Sequence, residues 1–552
     1  MEKFTIYQVL PRLFGNENKT RKQGGALAEN GVGKFSAFDA KTLKKIKALG
    51  ITHIWYTGVL EHATQTDYSA FGIERDFPSL TKGVAGSPYA VKDYYDVCPD
   101  LADVVENRMQ EFEDLVKRTQ RAGLKVVIDF VPNHVARRYH SDAKPAGVVD
   151  LGENDHPDVH FSPQNNFYYL SEKFSPQFEM QGYEENPAKA TGNDCFNAYP
   201  TKNDWYETVK LNYGVDYPGG GAKHFSPAPD TWFKMRDILF FWAGKGVDAF
   251  RCDMAEMVPV EFWAWAVAEL KKAFPGVIFI AEVYNPNEYR NYLFTGGFDY
   301  LYDKVGLYDT LRNVVCGHQP ASDITYCWQA LEGIGERMLN FLENHDEQRI
   351  ASDFFAGEPQ KALPAVLVSA LMNTAPFMIY FGQELGERGM DTEGFSGLDG
   401  RTTIFDYWSL PAVQRWRKTP SSSTEGGDVR TFYQKVLNFS WQENAIKKGG
   451  FYDLMYLNFN NPHFDTTKQY AFLRYFENDI LLIAANFDKE NKNIDINLSG
   501  EVFDSVKIKP QKTIAVDLLI GETVALALSP AKPVKISVKA YGGVVLKFLK
   551  KT

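Results

Sequence analysis

Eight short apolar runs, each followed by a longer segment able to form a helix, organise most of this sequence. The runs lie at residues 6–10, 51–57, 125–131, 247–251, 277–283, 298–302, 338–342 and 377–381. Continuous apolar runs of this length are typical of strands buried on both faces of a parallel sheet. Eight such strand–helix units predict a closed (β/α)8 barrel, the TIM barrel of the α/β class.

Two stretches fall outside this pattern. The third predicted strand ends far before the fourth begins, and residues 136–229 between them are rich in Asn, Pro, Gly, Tyr and Phe. We interpret them as an inserted, irregular subdomain, on the loop side where barrels carry their active sites. From 450 onwards the chain has short alternating runs between turn residues. This predicts a C-terminal all-β domain, a β-sandwich at 450–552, with the barrel formed by 1–135 and 230–449.

Composition and targeting signals exclude several classes of protein. The net charge of −10 argues against nucleic acid as a partner held by global charge. No run of about 18 apolar residues is present, so no membrane association is expected. Five scattered cysteines show neither a disulfide framework nor metal-site spacing. With no secretory signal visible at the N-terminus, we expect a cytoplasmic location.

Acidic and histidine side chains are concentrated where predicted strands end. Strand three ends in VVIDFVPNH, strand four in AFRCDMAE, strand five in IFIAEVY and strand seven in NFLENHDEQR. A carboxylate is costly to bury alone, and three at the same end of one barrel would converge over its mouth. Glycoside cleavage needs one carboxylic acid to protonate the leaving oxygen and one carboxylate to attack or activate water. A third charge can stabilise the transition state.

These four segments resemble, in order, the four signature regions of the α-amylase family, glycoside hydrolase family 13. DFVPNH matches the first region, AFRCD the second, AEVY the third and ENHDE the fourth. The resemblance covers essentially the whole chain, because the barrel, the insertion and the β-rich tail also agree with it. It implies a retaining enzyme that acts on α-glucosides through a covalent glycosyl-enzyme.

The resemblance also implies a role for each residue of the motifs. Asp253 is expected to be the nucleophile, Glu282 the general acid/base and Asp346 the stabiliser of the transition state. Asp129 is expected to be a structural neighbour that orients the arginine of the second region. The side chains expected to hold the −1 sugar or the nucleophile are Tyr89, His134, Arg251 and His345.

Some positions depart from the family's pattern. Glu256 stands where many relatives carry Lys, and is either a contact to the +1 and +2 sugars or a solvated loop charge. Ala90 follows Tyr89 where exo-acting relatives usually carry Asp, which favours internal cleavage or release of short oligosaccharides. Asn133 matches a calcium ligand of relatives, but Lys210 stands where they supply an Asp, and an ammonium cannot bind calcium. We therefore expect no cofactor and a Lys210 ammonium at the cation's position, with structural calcium as the alternative.

The predicted function is hydrolysis of α-1,4-glucosidic bonds in maltooligosaccharides or starch- and glycogen-type glucans. A transglycosylase on the same scaffold is the main alternative, because both reactions use the same carboxylates. A non-catalytic glucan-binding protein is disfavoured by the intact triad. The aromatic side chains of the insertion either stack on sugars or, as we expect, mostly form its core; they are Phe167, Tyr168, Tyr169, Trp205 and Tyr206.

Overall fold

A closed barrel of eight parallel strands forms the centre of the computed structural model, which describes residues 3–393, 397–419 and 426–550. The strands are β1 (Thr5–Val9), β2 (His53–Tyr56), β3 (Lys125–Phe130), β4 (Ala249–Cys252), β5 (Ile278–Ala281), β6 (Tyr300–Tyr302), β7 (Met338–Phe341) and β8 (Phe377–Tyr380). Each strand pairs with the next in the chain, and β8 closes on β1 with Phe377 opposite Thr5. Every strand overlaps one predicted run, which confirms the predicted barrel.

Alternation along the strands decides which side chains fill the barrel. Ile6, Val127, Ala249 and Ile280 belong to one buried apolar cluster in its interior. Side chains alternate along a strand, so the residue two positions further along also points into the barrel. Those next inward positions, nearer the carboxyl ends of the strands, carry polar or charged groups; they include Gln8, Asp129, Arg251 and Glu282. The barrel is therefore apolar at depth and polar at its mouth.

Helices follow the strands and cover the barrel. Among the described residues, the α-helices of seven or more residues in this part are Ala40–Ala48, Arg108–Arg121, Asp230–Gly244, Val260–Ala273, Asp309–Val315, Ile324–Ala330, Leu363–Leu371, Pro411–Lys418 and Gly427–Gln442. The shorter α-helices are Pro11–Phe14, Leu27–Asn30 and Asn444–Lys447, and two π-helices lie at Asn291–Thr295 and Lys304–Tyr308. Helix Arg108–Arg121 buries Phe112, Leu115, Val116 and Thr119, the spacing of one helix face. No helix among the described residues has the length and apolar character needed to span a membrane.

The insertion after β3 contains little regular structure. Its strands are His134–Ala136 paired with Thr208–Lys210, and Val215–Asp216 paired with Ala222–Lys223. Arg137, near the start of the insertion, is buried within it and donates hydrogen bonds to the carbonyl oxygens of Tyr206, at 2.8 Å, and Thr208, at 3.2 Å. The same guanidinium pairs with Glu185 at 2.6 Å. One guanidinium thus organises backbone that has few ladder hydrogen bonds of its own.

The C-terminal domain is a β-structure whose described residues also form one α-helix, Gly500–Val506, and a short 3-10 helix, Met455–Leu457. Its strands are β9 (Gly450–Asp453), β10 (Gln469–Phe476), β11 (Asp479–Asn486), β12 (Lys492–Ile496), β13 (Gln511–Asp517), β14 (Thr523–Leu528), β15 (Val534–Val538) and β16 (Gly542–Leu549). Six form an antiparallel sheet in the order β9-β10-β11-β16-β13-β14, and β12 pairs with β15. This sheet packs on the barrel helix Leu363–Leu371 through β11 and β16. A Cβ at Gly543 would lie 2.4 Å from Leu367 Cδ2, so the contact is very close.

A buried acidic cluster lies beside the barrel on the strand pair that follows β2. Glu61, on strand Leu60–His62, is opposite Asp93 on strand Val91–Val97. Neither carboxylate oxygen of Glu61 has a hydrogen-bond partner among the described residues. Burial first, and then the charges of Asp142, Asp93 and Asp96, raise the pKa of Glu61 to about 9. Glu61 is therefore protonated in the folded protein at neutral pH.

Glu61→Gln is expected to change the pH dependence of stability. Between about pH 4.5 and 9 the folded protein holds a proton at Glu61 that the unfolded chain releases, so the wild-type free energy of unfolding falls as pH rises. The variant lacks this titration, and its stability relative to the wild type should increase by about 1.4 kcal/mol per pH unit, or up to about 6 kcal/mol across the window. Thermal unfolding at several pH values measures the difference, and a constant difference in Tm would contradict it.

Candidate active site

The predicted catalytic carboxylates meet at the carboxyl ends of the barrel strands. Asp253 directly follows β4, Glu282 directly follows β5, and Asp346 lies in the loop after β7. All three line one cavity of about 320 Å³. Three of the predicted sugar contacts line the same cavity: Tyr89, His134 and His345. The structure therefore brings together side chains that lie up to 257 positions apart in the sequence (89 to 346).

Arg251 is the central cation of this site. One guanidinium nitrogen, Nη1, lies 2.7 Å from Asp253 Oδ1 and 3.3 Å from Asp129 Oδ1. The other, Nη2, lies 2.7 Å from Glu282 Oε2, and Nε donates to the hydroxyl of Tyr302 at 3.1 Å. The side chain is fully buried, so these contacts are formed in a site of low dielectric constant. Arg251 therefore balances three carboxylates at once.

The predicted nucleophile, Asp253, and the predicted transition-state stabiliser, Asp346, lie in opposite environments. Burial raises the pKa of Asp253 well above its usual range, Arg251 opposes this, and Glu282 adds to it. The Asp346 side chain is 45% exposed, and its Oδ2 lies 3.0 Å from Nε2 of His345. Against desolvation, His345 and Arg251 lower the pKa of Asp346 below the usual value. Arg251 is thus the group that favours the carboxylate form of Asp253.

Glu282 is held by two contacts to which the sequence motifs assign no role. The Tyr284 hydroxyl donates to Glu282 Oε1 at 2.5 Å, and the backbone N–H of Met254 donates to Oε2 at 2.8 Å. Met254 has φ +42° and ψ +42°, a left-handed conformation that is costly for a residue with a side chain. The residue after the predicted nucleophile therefore carries backbone strain that points its N–H at the predicted acid.

Glu256 anchors the loop that carries Tyr284. Its Oε2 accepts hydrogen bonds from the backbone N–H groups of Tyr284, at 3.2 Å, and Asn285, at 3.0 Å. Glu256 is half-buried and is not among the residues that line the cavity. The reading of Glu256 as a free, solvated loop charge is therefore wrong, because the carboxylate is occupied by the backbone of a neighbouring loop. Its contact with +1 and +2 sugars stays a prediction.

His345 connects the barrel interior to the cavity. The Gln8 amide donates to His345 Nδ1 at 2.7 Å, which leaves the proton on Nε2, the nitrogen that faces Asp346. The imidazole stacks on Tyr89 with ring centroids 5.0 Å apart. Sequence reasoning missed Gln8, Tyr284 and Tyr302. The inward positions at the ends of β1 and β6 were signals for Gln8 and Tyr302, and Tyr284 stands in the AEVY motif, which assigned it no role.

Asn133 and Lys210 show how the insertion is fixed next to His134. The Lys210 ammonium lies 2.6 Å from Asn133 Oδ1 and 2.6 Å from Asp194 Oδ1, and is fully buried. These are two oxygen groups of the kind that bind calcium, but both are occupied by a cationic donor. The residues present do not fit a calcium ion at this position. Within the described ranges, no group of three or more His, Cys, Asp or Glu side chains is arranged to hold a metal.

The insertion and two loops form the other wall of the cavity. Trp205, Glu207 and Thr208 come from the insertion, Lys82 from the loop after β2, and Phe405 from the loop after β8. Of the insertion's aromatic side chains, only one lines the cavity, Trp205, while four are buried in packed surroundings; these are Phe167, Tyr168, Tyr169 and Tyr206. Most of the aromatic set is therefore core.

Tyr284→Phe is expected to lower kcat roughly 10- to 100-fold with little change in Tm, because a hydrogen bond to a charged group is lost and no cavity is made. Tyr289→Phe serves as the control, since Tyr289 follows the same strand but does not line the cavity. Steady-state kinetics on an α-glucoside measures both variants. Equal kcat values for the two variants would show that the Tyr284 hydroxyl does not act on Glu282.

Comparison with known proteins gives a consistent picture. The family described as alpha amylase, catalytic domain, matches residues 8–277. The chain is 24% identical over 546 residues to Alpha-amylase 3 of Dictyoglomus thermophilum, covering 94% of this chain and 91% of the relative. It is 27% identical over 219 residues, 37% of this chain and 27% of the relative, to an alpha-1,4-glucan:maltose-1-phosphate maltosyltransferase of Cereibacter sphaeroides. The structure of a noncanonic maltogenic alpha-amylase from Thermotoga neapolitana shares the fold, with a TM-score of 0.65, 19% identity and 99% of each chain covered.

Proposed function

Because this chain is a member of the α-amylase family of glycoside hydrolases, we propose that it is a retaining hydrolase of α-1,4-glucosidic bonds in maltooligosaccharides or related glucans. The observation that carries this proposal is the Arg251 fork, whose two terminal nitrogens each lie 2.7 Å from one carboxylate, Asp253 and Glu282. A shared guanidinium keeps the two groups close together. Retaining enzymes use a carboxyl separation of about 5–5.5 Å, shorter than that of inverting enzymes.

In the proposed reaction, Glu282 protonates the glycosidic oxygen while Asp253 attacks the anomeric carbon. The bond to the leaving sugar breaks, and a covalent glycosyl-enzyme forms at Asp253. Glu282, now a carboxylate, takes a proton from water, and this water attacks the same carbon and releases Asp253. Asp346 and His345 contact the −1 sugar, and Tyr89 covers its face. Developing positive charge on the sugar is stabilised by the nearby carboxylates.

The distribution of products from maltoheptaose and soluble starch tests the proposal. We expect short maltooligosaccharides as products, and NMR should show that the α-anomer is released first. The Glu282→Gln variant should give no products. Products longer than maltoheptaose would instead establish the transglycosylase. A β-anomer as first product would refute retention. If neither substrate is cleaved, the α-1,4-glucan assignment is overturned. Cell fractionation is a separate experiment that checks the predicted cytoplasmic location.

We further propose that the Lys210 ammonium takes the place of a structural cation. EDTA is then expected to leave both activity and Tm unchanged. Lys210→Met should destabilise the protein by about 1–3 kcal/mol, because the buried Asn133 Oδ1 loses its donor, whereas the Asp194 carboxylate that is left is exposed to water. Lys223→Met, which removes an exposed ion pair of the same insertion, should cost less than about 1 kcal/mol. A fall in Tm on chelation would contradict the substitution of the metal by Lys210.

A further inference from the structure

A second ion pair faces the cavity from the wall opposite the loop after β5, which carries Glu282 and Tyr284. Lys82 Nζ lies 3.0 Å from Glu207 Oε1, and the two side chains are only 11% and 5% exposed. Lys82 belongs to the loop after β2 and Glu207 to the insertion after β3, so the pair joins two separate segments. Both residues line the cavity that holds the carboxylates.

The pair has hydrogen-bonding capacity to spare. Glu207 Oε2 is buried and has no hydrogen-bond partner among the described residues. The Lys82 ammonium has three donors, and besides Glu207 its one hydrogen-bond acceptor among the described residues is the Asp204 carbonyl oxygen, at 3.5 Å, while it also lies 5.3 Å from the centre of the Tyr206 ring. A buried carboxylate oxygen without a partner is costly, and such groups call for an explanation such as a ligand. Burial raises the pKa of Glu207, and the nearby Lys82 ammonium opposes this shift.

The position of the pair identifies the part of the substrate it can reach. Glu282, after β5, protonates the glycosidic oxygen, so the leaving portion of the sugar chain lies on its side of the mouth. Lys82 and Glu207 lie on the β2–β3 side, with Tyr89 and His134 of the −1 site. Lys82 is near enough to contribute to lowering the pKa of His134, after burial and Lys210. The pair therefore faces the glycone, the portion that becomes bonded to Asp253.

We propose that Lys82 and Glu207 form a hydroxyl-binding pair for a glucosyl unit on the non-reducing side of the cleaved bond. A sugar hydroxyl both donates and accepts, so a carboxylate and an ammonium side by side match two neighbouring hydroxyls. Trp205, which lines the same wall, offers an apolar ring to the face of the sugar. This assignment rests on the proposed function and adds a specificity determinant to it.

The pair also helps to interpret Ala90, which stands where exo-acting relatives usually carry Asp. Ala90 is buried among Ala63 and Ala136, and offers no group to a sugar. Recognition of the non-reducing side is instead supplied by Lys82 and Glu207, from a different loop and from the insertion. Of the two outcomes that Ala90 leaves open, this favours release of short oligosaccharides over random internal cleavage.

Steady-state kinetics of Glu207→Gln and Lys82→Met on maltoheptaose test the assignment. We expect KM to rise roughly 10-fold in each variant with kcat within about 3-fold of wild type, the pattern of lost binding that is equal in ground and transition states. Lys82→Arg should recover part of the loss. Product profiles of both variants should shift towards longer oligosaccharides.

Asp76→Asn is the matched control, because Lys92 and Asp76 form an equally buried pair at 3.1 Å that does not line the cavity. The assignment would be overturned if KM is unchanged in Glu207→Gln and Lys82→Met, or if KM rises equally in Asp76→Asn. In either case, cleavage of maltoheptaose by the wild type would still uphold the proposed function. If a single variant loses stability, the double variant Lys82→Met/Glu207→Gln, with no unpaired charge, gives the same readout. An inactive wild type would refute the proposed function itself.

Discussion

Asp253→Asn is expected to lower kcat for maltoheptaose at least 10⁴-fold, because the amide cannot form the glycosyl-enzyme and the remaining groups supply only part of the rate enhancement. The stability of the folded protein should not fall with the activity. Asp253 is buried, and its pKa is raised by burial and by Glu282, so its charge is costly in the folded state at neutral pH. Removing that charge should leave Tm equal or higher, as is common at active sites.

Asp303→Asn is the matched control for this prediction. Asp303 follows β6 directly, as Asp253 follows β4, and it is equally buried. Its carboxylate accepts the backbone N–H of Leu307 at 2.9 Å and does not line the cavity. Activity of Asp303→Asn should therefore remain within about 3-fold of wild type. Residual activity of Asp253→Asn within 100-fold of wild type would exclude Asp253 as the nucleophile.

Arg251→Met is expected to abolish activity and to destabilise the fold by about 3–5 kcal/mol, because Asp129, Asp253 and Glu282 lose their common buried cation. The loss should depend on pH. Burial already raises the pKa values of Asp129 and Asp253, and without the guanidinium both rise further. The folded variant then binds protons that the unfolded chain has released, so its stability falls as pH rises above about 4.

Thermal unfolding of Arg251→Met and wild type at several pH values measures this effect. The gap in Tm should be largest near pH 7 and should shrink on acidification, as the carboxylates become neutral. Arg251→Lys should recover part of the stability but little activity, because one ammonium cannot contact Asp253 and Glu282 with two separate nitrogens. A gap in Tm that is independent of pH would show that packing, rather than charge balance, is what Arg251 supplies.

Local pattern was sufficient for the barrel and for the residues that end its strands. The apolar runs mark β1 to β8 because each is buried on both faces, and Asp253 and Glu282 follow directly from where β4 and β5 stop. The resemblance to signature motifs then supplied their expected roles. These are properties of short segments, which a sequence displays openly.

Contacts between loops could not be predicted in this way. Glu256 binds backbone N–H groups 28 and 29 residues further on, at Tyr284 and Asn285, which requires knowing how two loops meet. Lys82 and Glu207 are joined only through the path of an irregular insertion. Aromatic residues gave no signal either, since Tyr168 and Trp205 differ in burial but not in local pattern. In each case the missing information is tertiary, and hydrophobic periodicity does not encode it.

The helix Leu363–Leu371 limits how modular this protein is. From Pro364 to Leu371 every residue of the helix is buried, because the barrel covers one side and strands β11 and β16 cover the other. A helix that is apolar all round belongs to an interior. The composition of the chain changes at 450, yet a cut there would expose an apolar helix to water and create an aggregation-prone surface. The barrel and the β domain are therefore a single unit for engineering, and a shortened, catalytic-only enzyme is not available from this chain without redesign of that helix.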